Sequence, residues 1–303
     1  MYVIAGASGN TGRVAAEVLL TRGRKVTVLG RQVNRLLPLV GKGAEALEVN
    51  LQDTPRLTEA LRGAKAAYLL IPPNLAAADF IDYSRKTADS LARAVSESGI
   101  RYVVFLSSMG AQLPDGTGPI KALHYAEEQL RKIENLNLLA VRAGFFMENF
   151  YMSIPAVQQY GMLAGDIAPD VRIPMISTGD IGRYVADRLD KLDFTGTEVR
   201  ELLGQRDIAM REAATIIGKA LGRSDLKYQQ FDAHAIKQAM TAAGVSDSLA
   251  DLIVEMNRAM SEGRVAATQP RTAENTTSTS LEEFSRRQLA DAAVQLQSAV
   301  TKS

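Results

Sequence analysis

Three glycines near the N-terminus are the residues whose spacing most clearly predicts chemistry. Gly6, Gly9 and Gly12 occur at every third position, directly after the apolar run Val3–Ala5, and a helical pattern follows. In such a strand–turn–helix unit, the first glycine permits the turn, and the second lets backbone N–H groups approach an anion. The third lets the helix pack against the strand, so that a pyrophosphate can lie at the positive helix end. The spacing predicts a nucleotide site; the alternative is only a tight turn.

The residues around the second predicted strand, Lys25–Leu29, favour a particular nucleotide. An NAD-preferring site places an acidic side chain at the end of this strand to bind the ribose 2′-hydroxyl. No acidic residue occurs between Glu17 and Glu45, whereas Arg31 follows the strand directly. A guanidinium at this point can pair with a 2′-phosphate and stack on adenine, and Arg13 could assist it. The pattern predicts NADP(H) in preference to NAD(H); the alternative is an ordinary solvated arginine.

Strands and helices alternate through the first half of the chain, which predicts an α/β fold with a Rossmann-like, doubly wound parallel sheet. The predicted strands are Tyr2–Ala5, Lys25–Leu29, Ala46–Asn50, Ala66–Ile71, Tyr102–Leu106 and Leu138–Arg142. We predict an NAD(P)-binding domain over residues 1–150. A smaller, mostly helical substrate or capping region is predicted over residues 151–303, with some chain crossing back to the first domain.

The second half is predicted to be mainly helical and to close over the ligand. Its predicted helices are Asp180–Asp190, Met210–Leu221, Ala233–Ala243 and Ser246–Glu262, with short strands near Glu198–Leu203 and Leu226–Phe231. Ser280 followed by Glu283 has the spacing of a capping box, which predicts a final helix to about Val300.

Composition excludes several functional classes. The chain has 303 residues, a net charge of +1, two histidines and no cysteine, so thiolate chemistry, disulfides and cysteine-bound metals are excluded. The balanced charge predicts neither a nucleic-acid partner nor a membrane surface, and no apolar run is long enough for a membrane helix. The first strand follows Met1 at once, which leaves no room for a signal peptide. We therefore expect a cytoplasmic protein, a monomer or homodimer, whose partner is a small molecule.

The glycine segment Gly6–Gly12, Arg31, and the segment Val141–Phe150 together resemble the NmrA-like group of atypical short-chain dehydrogenase/reductases. The last segment reads Val-Arg-Ala-Gly-Phe-Phe-Met-Glu-Asn-Phe, with Ala143 where proline is usual. The resemblance implies a Rossmann domain, a small substrate domain and mostly NADP(H). It also implies one of two activities: reduction of quinones, dyes or aromatic compounds, or non-catalytic redox sensing with a protein partner.

The helix after the fifth predicted strand lacks the Tyr-x-x-x-Lys pair of standard short-chain dehydrogenases. By the resemblance, His124 and Glu128 occupy the usual Lys-x-x-x-Glu positions, which leaves Ile120 where the tyrosine would be. Lys121 and Tyr125 are close in sequence but have the wrong spacing. His124 could supply a proton or bind the nicotinamide ribose, although a lone histidine is more often structural. In having a histidine at this position, the sequence resembles the NAD(P)H:quinone oxidoreductase branch of the family.

These patterns predict an NADPH-dependent reductase that passes hydride to a quinone or a similar flat acceptor, with His124 as the candidate catalytic residue. The alternatives are a non-catalytic NADP(H)-binding regulator and an isomerase or epimerase, the latter weakened by the missing pair. An apolar acceptor surface is predicted at Phe145, Phe146, Phe150, Tyr151 and Met152, whose alternative role is core. The residues predicted to bind the cofactor are Gly6, Ser8, Gly9, Asn10, Thr11, Gly12, Arg31, Leu51, Ile71, Pro72, Pro73, Asn74, Ser107, His124, Gly144 and Phe145.

Overall fold

A computed structural model describes residues 1–294, and a seven-stranded parallel sheet lies at its centre. The strands are β1 (Tyr2–Ile4), β2 (Val26–Gly30), β3 (Glu45–Glu48), β4 (Ala66–Leu69), β5 (Tyr102–Ser108), β6 (Asn137–Ala143), β7 (Phe145–Phe146), β8 (Met162–Gly165), β9 (Arg172–Ile176), β10 (Thr197–Leu202), β11 (Asp207–Ala209) and β12 (Lys227–Gln230). The central strands of the sheet are apolar and buried on both faces, as a parallel sheet between two helix layers requires.

Helices alternate with the strands through the first half of the chain and predominate later. They are α1 (Asn10–Thr21), α2 (Leu37–Val40), α3 (Thr54–Leu61), α4 (Phe80–Ser98), α5 (Ile120–Arg131), α6 (Ile154–Tyr160), α7 (Thr178–Lys191), α8 (Met210–Ala220), α9 (Ala233–Ala242), α10 (Asp247–Ser261) and α11 (Leu281–Phe284). Short 3-10 helices lie at Val33–Leu36 and Met147–Ser153, and a π-helical turn at Ser285–Leu289 continues α11. None of the helices within residues 1–294 is both long and apolar enough to cross a membrane.

The sheet order is β10-β6-β5-β4-β1-β2-β3, which confirms the predicted doubly wound α/β fold. From β1 the chain builds outward through β2 and β3, then returns to the other side of β1 and builds outward again from β4. The carboxyl ends of β1 and β4 therefore flank a topological switch point, where open α/β sheets bind their ligands. The glycine segment lies at this point.

The second half of the chain is tied closely to the central sheet. Strand β10 pairs with β6 along six residues, and helix α7 lies against α1. A Cβ at Gly182 of α7 would lie 2.7 Å from the carbonyl oxygen of Thr11, so only glycine permits this close helix contact. The division at residue 150 stays a prediction.

Two small sheets lie beside the central one. One has the order β11-β9-β7 and the other pairs β12 with β8. Of their strands, only β12 was predicted from the sequence, as the short strand near Leu226–Phe231. The other four have only two to five residues each, which is too short for a distinct alternating pattern. The predicted cap before the last helix is present, because the Ser280 hydroxyl accepts a hydrogen bond from the Glu283 backbone N–H at 3.1 Å. The predicted end of that helix at Val300 lies outside the described residues.

Candidate functional site

The glycine segment forms a tight turn that leads into α1. Gly6 has φ +61°, a left-handed conformation that favours glycine, and its carbonyl oxygen accepts a bond from the Gly9 N–H at 2.9 Å. Gly9 then caps α1, and no side chain within residues 1–294 bonds to the backbone N–H groups of the first turn. The first turn also lacks an acidic side chain. The helix therefore begins with free N–H groups and an uncompensated positive end, which suits an anion.

Gly12 lies beneath this turn rather than in contact with the cavity described below. A Cβ at this position would lie 2.6 Å from the carbonyl oxygen of Gly6 and 2.9 Å from that of Ala5. Because both neighbours are backbone atoms, neither can rotate away. Gly12 therefore sets the close approach of α1 to the turn, as the sequence pattern predicts for a third glycine.

A buried hydrogen bond fixes the first turn of α1 against the sheet. The Tyr68 hydroxyl of β4 donates to the Thr11 hydroxyl oxygen at 2.9 Å. Burial raises the pKa of the Tyr68 phenol, so it stays neutral and keeps its proton for this bond. The bond joins β4 to α1 directly at the switch point.

A cavity of about 590 Å³ opens in front of this turn, at the carboxyl ends of β1, β4 and β5. Its walls are formed by Gly6, Ser8, Gly9, Asn10, Thr11, Leu70, Ile71, Pro72, Pro73, Phe80, Ser84, Leu106, Ser107, Ser108, Pro119, Ile120, Ala122, Leu123, Phe146, Asn149 and Thr178. Among these lining residues of the described chain, none is Asp, Glu, Lys, Arg, His, Tyr or Cys. The cavity therefore has room for a ring system but offers it no side chain that titrates.

A smaller pocket of about 80 Å³ continues the cavity past Gly6, Ser8 and Pro72. It reaches the carboxyl end of β2, where Gly30, Arg31, Asn50 and Leu51 contribute to its lining. Arg31 is exposed and has no ion pair with any residue in 1–294, and no carboxylate of that range lines the pocket. Together, the two spaces form a continuous groove with a cation at one end and the large cavity at the other.

The groove is a candidate site for an extended dinucleotide. Its middle is the free helix end at Gly9 and Asn10, where a pyrophosphate would be held. In the wall of the large cavity, the Ser84 hydroxyl of α4 is buried and lacks a hydrogen-bond partner within residues 1–294. A buried hydroxyl without a partner is costly unless a ligand or water supplies one. The described residues bring together no group of His, Cys, Asp and Glu side chains that could hold a metal ion.

Helix α5 presents an apolar face to the cavity. Ile120, Ala122 and Leu123 line it, and Ile120 is the residue that the family resemblance places at the usual tyrosine position. Tyr125 points elsewhere, because its hydroxyl donates to Asp89 at 2.7 Å, and this hydrogen bond raises the pKa of the Tyr125 phenol. Lys121 is also directed away, toward Asp115 and Glu255.

His124 follows Leu123 but is not among the residues of the described chain that line the cavity. Its Nδ1 lies 2.8 Å from the carbonyl oxygen of Ala111. Since a carbonyl oxygen only accepts, Nδ1 is the donor in this contact. The histidine therefore holds the segment that follows β5, and its catalytic role stays a prediction.

A buried charged cluster lies behind the cavity wall. The Glu127 carboxylate of α5 accepts two bonds from Arg142 of β6, at 2.9 and 2.7 Å, and one from Arg131 at 2.9 Å. The cavity-lining Ser107 donates its hydroxyl proton to the same carboxylate at 2.6 Å. Glu127 is 1% exposed and Arg142 is 7% exposed, so neither charge is solvated by water. This cluster joins the ends of β5 and β6 to α5.

The aromatic segment after β6 divides between the cavity and the core. Phe146 lines the cavity, whereas Phe150 is buried in the core. Tyr151 packs against Phe284 at a centroid distance of 5.7 Å, and Met152 is exposed. Only Phe146 of the predicted apolar surface therefore contacts the main cavity.

A second apolar pocket of about 130 Å³ adjoins the cavity at Ser108, Phe146 and Asn149. Gly144, Phe145 and the methionines 256 and 260 also line it. Gly144 cannot carry a side chain here, because a Cβ would lie 2.6 Å from the carbonyl oxygen of Pro174. Gly144 and Phe145 therefore line the adjoining pocket and not the main cavity, where most of the other predicted cofactor residues lie.

Glu148 fastens the aromatic segment to α7. Its carboxylate accepts bonds from the Thr178 backbone N–H at 3.0 Å and from the Thr178 hydroxyl at 2.6 Å. Burial is the main influence on this carboxyl and raises the pKa of Glu148 above its ordinary value of 4.5, although the bonds from Thr178 act in the opposite direction. Thr178 and Asn149 line the cavity on either side of this contact.

We expect the raised pKa of Glu148 to produce a measurable pH dependence of stability. Between the ordinary value and the raised one, the folded protein binds more protons than the unfolded chain, so stability falls as pH rises through this window. Glu148→Gln removes the titration. The free energy of unfolding, measured by denaturant at a series of pH values, should therefore fall less steeply in the variant just above pH 4.5. Identical slopes in both proteins would contradict this assignment.

Most, but not all, of the residues predicted to bind the cofactor lie along the groove. Asn74 lines neither space within the described chain, and its side chain instead accepts a bond from the Ala76 N–H at 3.3 Å. Gly12 and His124 are also not among the described residues that line the large cavity or the small pocket. The remaining predicted residues line the groove or, for Gly144 and Phe145, the adjoining apolar pocket.

Sequence reasoning missed Ser84 and the Glu127 cluster. Arg142 carried a usable signal, since it is the one charged residue of the otherwise apolar predicted strand Leu138–Arg142, and a charge in a buried strand needs a buried partner. Ser84 gave no signal, because a serine in an amphipathic helix is common on either face.

The NmrA-like family model matches residues 2–285, so the chain belongs to the NmrA-like family, as the sequence motifs predict. A relative from Streptomyces griseus, (4-alkanoyl-5-oxo-2,5-dihydrofuran-3-yl)methyl phosphate reductase, is 27% identical over 80% of this chain and 81% of its own length. Quinone oxidoreductase 2 of Escherichia coli is 22% identical over 87% of this chain and 89% of its own.

A solved structure has the same fold over almost the whole length of this chain. The NADPH-dependent quinone oxidoreductase of Escherichia coli, crystallised with NADPH, superposes with a TM-score of 0.75 at 19% identity. The match covers 98% of this chain and 100% of that one.

Proposed function

We propose that this protein is an NADPH-dependent reductase that transfers hydride to a quinone or a similar flat, apolar acceptor. The observation that carries the proposal is the large cavity at the switch point, which contains no titratable side chain among its described lining residues. Reactions that need a general acid in the protein require such a group within hydrogen-bond reach. Quinone reduction does not, because the reduced oxygens can take protons from water.

The names of the two relatives support this reaction class. One is a reductase of a furanone phosphate and the other is a quinone oxidoreductase. Their acceptors differ in shape and charge, so they support reduction in general, and the flat apolar acceptor is inferred from the cavity itself.

The groove supplies the residues that would hold the cofactor. Gly6, Gly9 and the N–H groups at the start of α1 would bind the pyrophosphate, and the small pocket beside Leu51 would receive the adenosine. When bound, the cofactor supplies a hydride from its nicotinamide ring. The chain's part is to hold that ring and the acceptor together and to exclude water from between them.

The wall of the cavity suits a flat acceptor. Ile120, Leu123 and Phe146 form an apolar surface on which a ring can lie, and burial of apolar area drives such binding. The Asn149 amide lines the cavity and makes no hydrogen bond within the described chain, so its N–H groups are free to donate to an acceptor carbonyl. This donor would orient the acceptor without protonating it.

The space available favours an enzyme over a redox sensor. A regulator needs to bind only the nucleotide. The space next to the nucleotide could then be filled by protein side chains without loss of function. Here the cavity of about 590 Å³ continues into the apolar pocket of about 130 Å³ next to Phe146. This additional volume supports a second small molecule in the site.

Arg31 should determine the choice between NADPH and NADH. We expect Arg31→Ala to weaken NADPH binding by about 10–100-fold through loss of a charge-assisted contact with the 2′-phosphate, and to change NADH binding by less than about threefold. Calorimetric titration of both cofactors measures this. Arg35→Ala is the matched control, because Arg35 is exposed nearby but does not line the small pocket. Equal losses for both cofactors in Arg31→Ala would refute the assignment.

The function is tested by NADPH oxidation with purified protein and a panel of benzoquinones, naphthoquinones and triarylmethane dyes. Saturable turnover with at least one flat acceptor is expected, and tight NADPH binding without turnover on any acceptor would favour the sensor instead. His124→Gln is included in the same assay. Because His124 lies outside the described lining, we expect less than about a tenfold loss of kcat/KM, whereas loss of a general acid costs about 100–10,000-fold.

A further inference from the structure

Ser107 is the one polar residue of the cavity lining that is bonded directly to the buried charged cluster. It precedes Ser108, the last residue of β5, is 3% exposed, and donates its hydroxyl proton to Glu127 Oε1 at 2.6 Å. The short distance is typical of a hydroxyl bonded to a carboxylate.

The cluster fixes the direction in which the Ser107 hydroxyl donates its proton. Both oxygens of Glu127 accept hydrogen bonds from arginines: Arg142 donates to Oε1 and Oε2, and Arg131 donates to Oε2. A carboxylate only accepts, and a serine hydroxyl has a single proton. As long as the cluster is intact, the Ser107 oxygen has only lone pairs left for a bound molecule.

We infer that Ser107 is a specificity-determining residue that acts as a fixed hydrogen-bond acceptor and selects ligands that present an N–H or O–H group to it. The inference rests on the proposed function, since it concerns the molecules that this function places in the cavity. A ligand carbonyl directed at Ser107 would meet lone pairs and be disfavoured. Asn149, whose amide N–H groups are free, is the complementary position for a carbonyl.

Two bound molecules could present the donor. One is the carboxamide of the nicotinamide ring, whose NH₂ group has two protons. The other is a hydroxyl on the electron acceptor, as in a hydroxynaphthoquinone. Both share the same recognition chemistry, and binding of each can be measured separately.

The experiment compares wild-type protein with Ser107→Ala, which removes the acceptor, and Ser107→Thr, which keeps it. In the first arm, calorimetry measures binding of NADPH and of its 3-acetylpyridine analogue, in which a methyl ketone replaces the carboxamide and removes the donor. In the second arm, the KM for a hydroxynaphthoquinone is compared with that for its methoxy counterpart. Thermal unfolding of each variant shows that the fold is retained, since Glu127 keeps its two arginine partners.

In one arm, we expect wild-type protein and Ser107→Thr to bind the donor-bearing ligand more tightly than its counterpart. In Ser107→Ala, the ratio of the two affinities should be about fivefold smaller. The arm in which the loss occurs identifies the source of the donor. If the preference is the same in wild-type protein and Ser107→Ala in both arms, the inference is overturned. It is also overturned if Ser107→Ala selectively weakens the ketone or methoxy ligand, because that would make Ser107 a donor.

Failure of the proposed function gives a different result. Normal NADPH binding without turnover would contradict the reductase activity, yet the first arm would still report on Ser107. If the carboxamide preference were then unchanged by Ser107→Ala, the inference would be overturned as well. Absence of NADPH binding by the wild-type protein would overturn both.

Discussion

Replacing Glu127 by alanine should destabilise the protein by about 3–5 kcal/mol, because it leaves a buried charge without its partner. Arg142 is 7% exposed and donates from Nε and Nη2 to the two oxygens of Glu127. Without the carboxylate, its guanidinium must either stay buried and unpaired or pull β6 open to reach water. Since domains are typically stable by about 5–15 kcal/mol, a loss of this size should be plain in urea unfolding at neutral pH.

The neighbouring glutamate provides a matched control. Glu128 is on the same helix turn and bonds to Arg131 at 3.0 Å, but its side chain is 45% exposed. Glu128→Ala should therefore cost less than about 0.5 kcal/mol, as exposed helix ion pairs do. A second variant, Glu127→Leu combined with Arg142→Met, removes both charges and should recover much of the loss. Equal effects of Glu127→Ala and Glu128→Ala would contradict the buried cluster.

Gly12→Ala should reduce NADPH affinity by at least about 100-fold, a loss of about 2.7 kcal/mol of binding free energy. The added Cβ would lie 2.6 Å from the Gly6 carbonyl oxygen, so α1 has to move away from the turn. Such a shift misplaces the N–H groups at the helix start. Their hydrogen bonds to the pyrophosphate require donor positions accurate to within a few tenths of an ångström. Calorimetric titration with NADPH measures the effect, and circular dichroism shows whether the fold persists.

Two other glycines can be compared with Gly12 by the space around a Cβ at each position, and one of them provides a control variant. Gly41 has a helical φ of −59°, and a Cβ there would approach nothing closer than 3.7 Å, so Gly41→Ala should bind NADPH normally. Gly9 is intermediate, with one contact at 3.2 Å to the Gly6 carbonyl oxygen. Binding by Gly12→Ala within about threefold of wild type would show that the turn tolerates displacement of α1.

The part of the fold that holds the nucleotide was largely predictable from the sequence. The strands around the switch point are continuous apolar runs separated by helical patterns, and a buried parallel sheet produces that signal. The turn glycines were predictable because their spacing reflects backbone geometry that few other residues allow. The missing Tyr-x-x-x-Lys pair was also visible in the sequence, and the structure shows Ile120 facing the cavity there.

The rest depended on contacts that residue patterns do not encode. His124 and Leu123 are adjacent, yet only Leu123 reaches the cavity, because helix rotation separates neighbouring side chains by about 100°. Asn74 follows the prolines that line the groove, but its side chain caps its own loop. The bond from Ser107 to Glu127 joins residues 20 positions apart on two elements, and only tertiary structure brings them together.

The late return of β10 to the sheet has a consequence for synthesis on the ribosome. Until Leu202 has emerged, β6 is an apolar edge strand whose backbone groups have no neighbour on one side. The Glu201 carboxylate of β10 in turn accepts bonds from the backbone N–H groups of Thr268 and Gln269, so a segment made still later packs against β10. A chain released at residue 150 would lack β10, and the backbone groups along one side of β6 would have no paired strand. Nascent chains of this protein should therefore need shielding from one another over much of their translation.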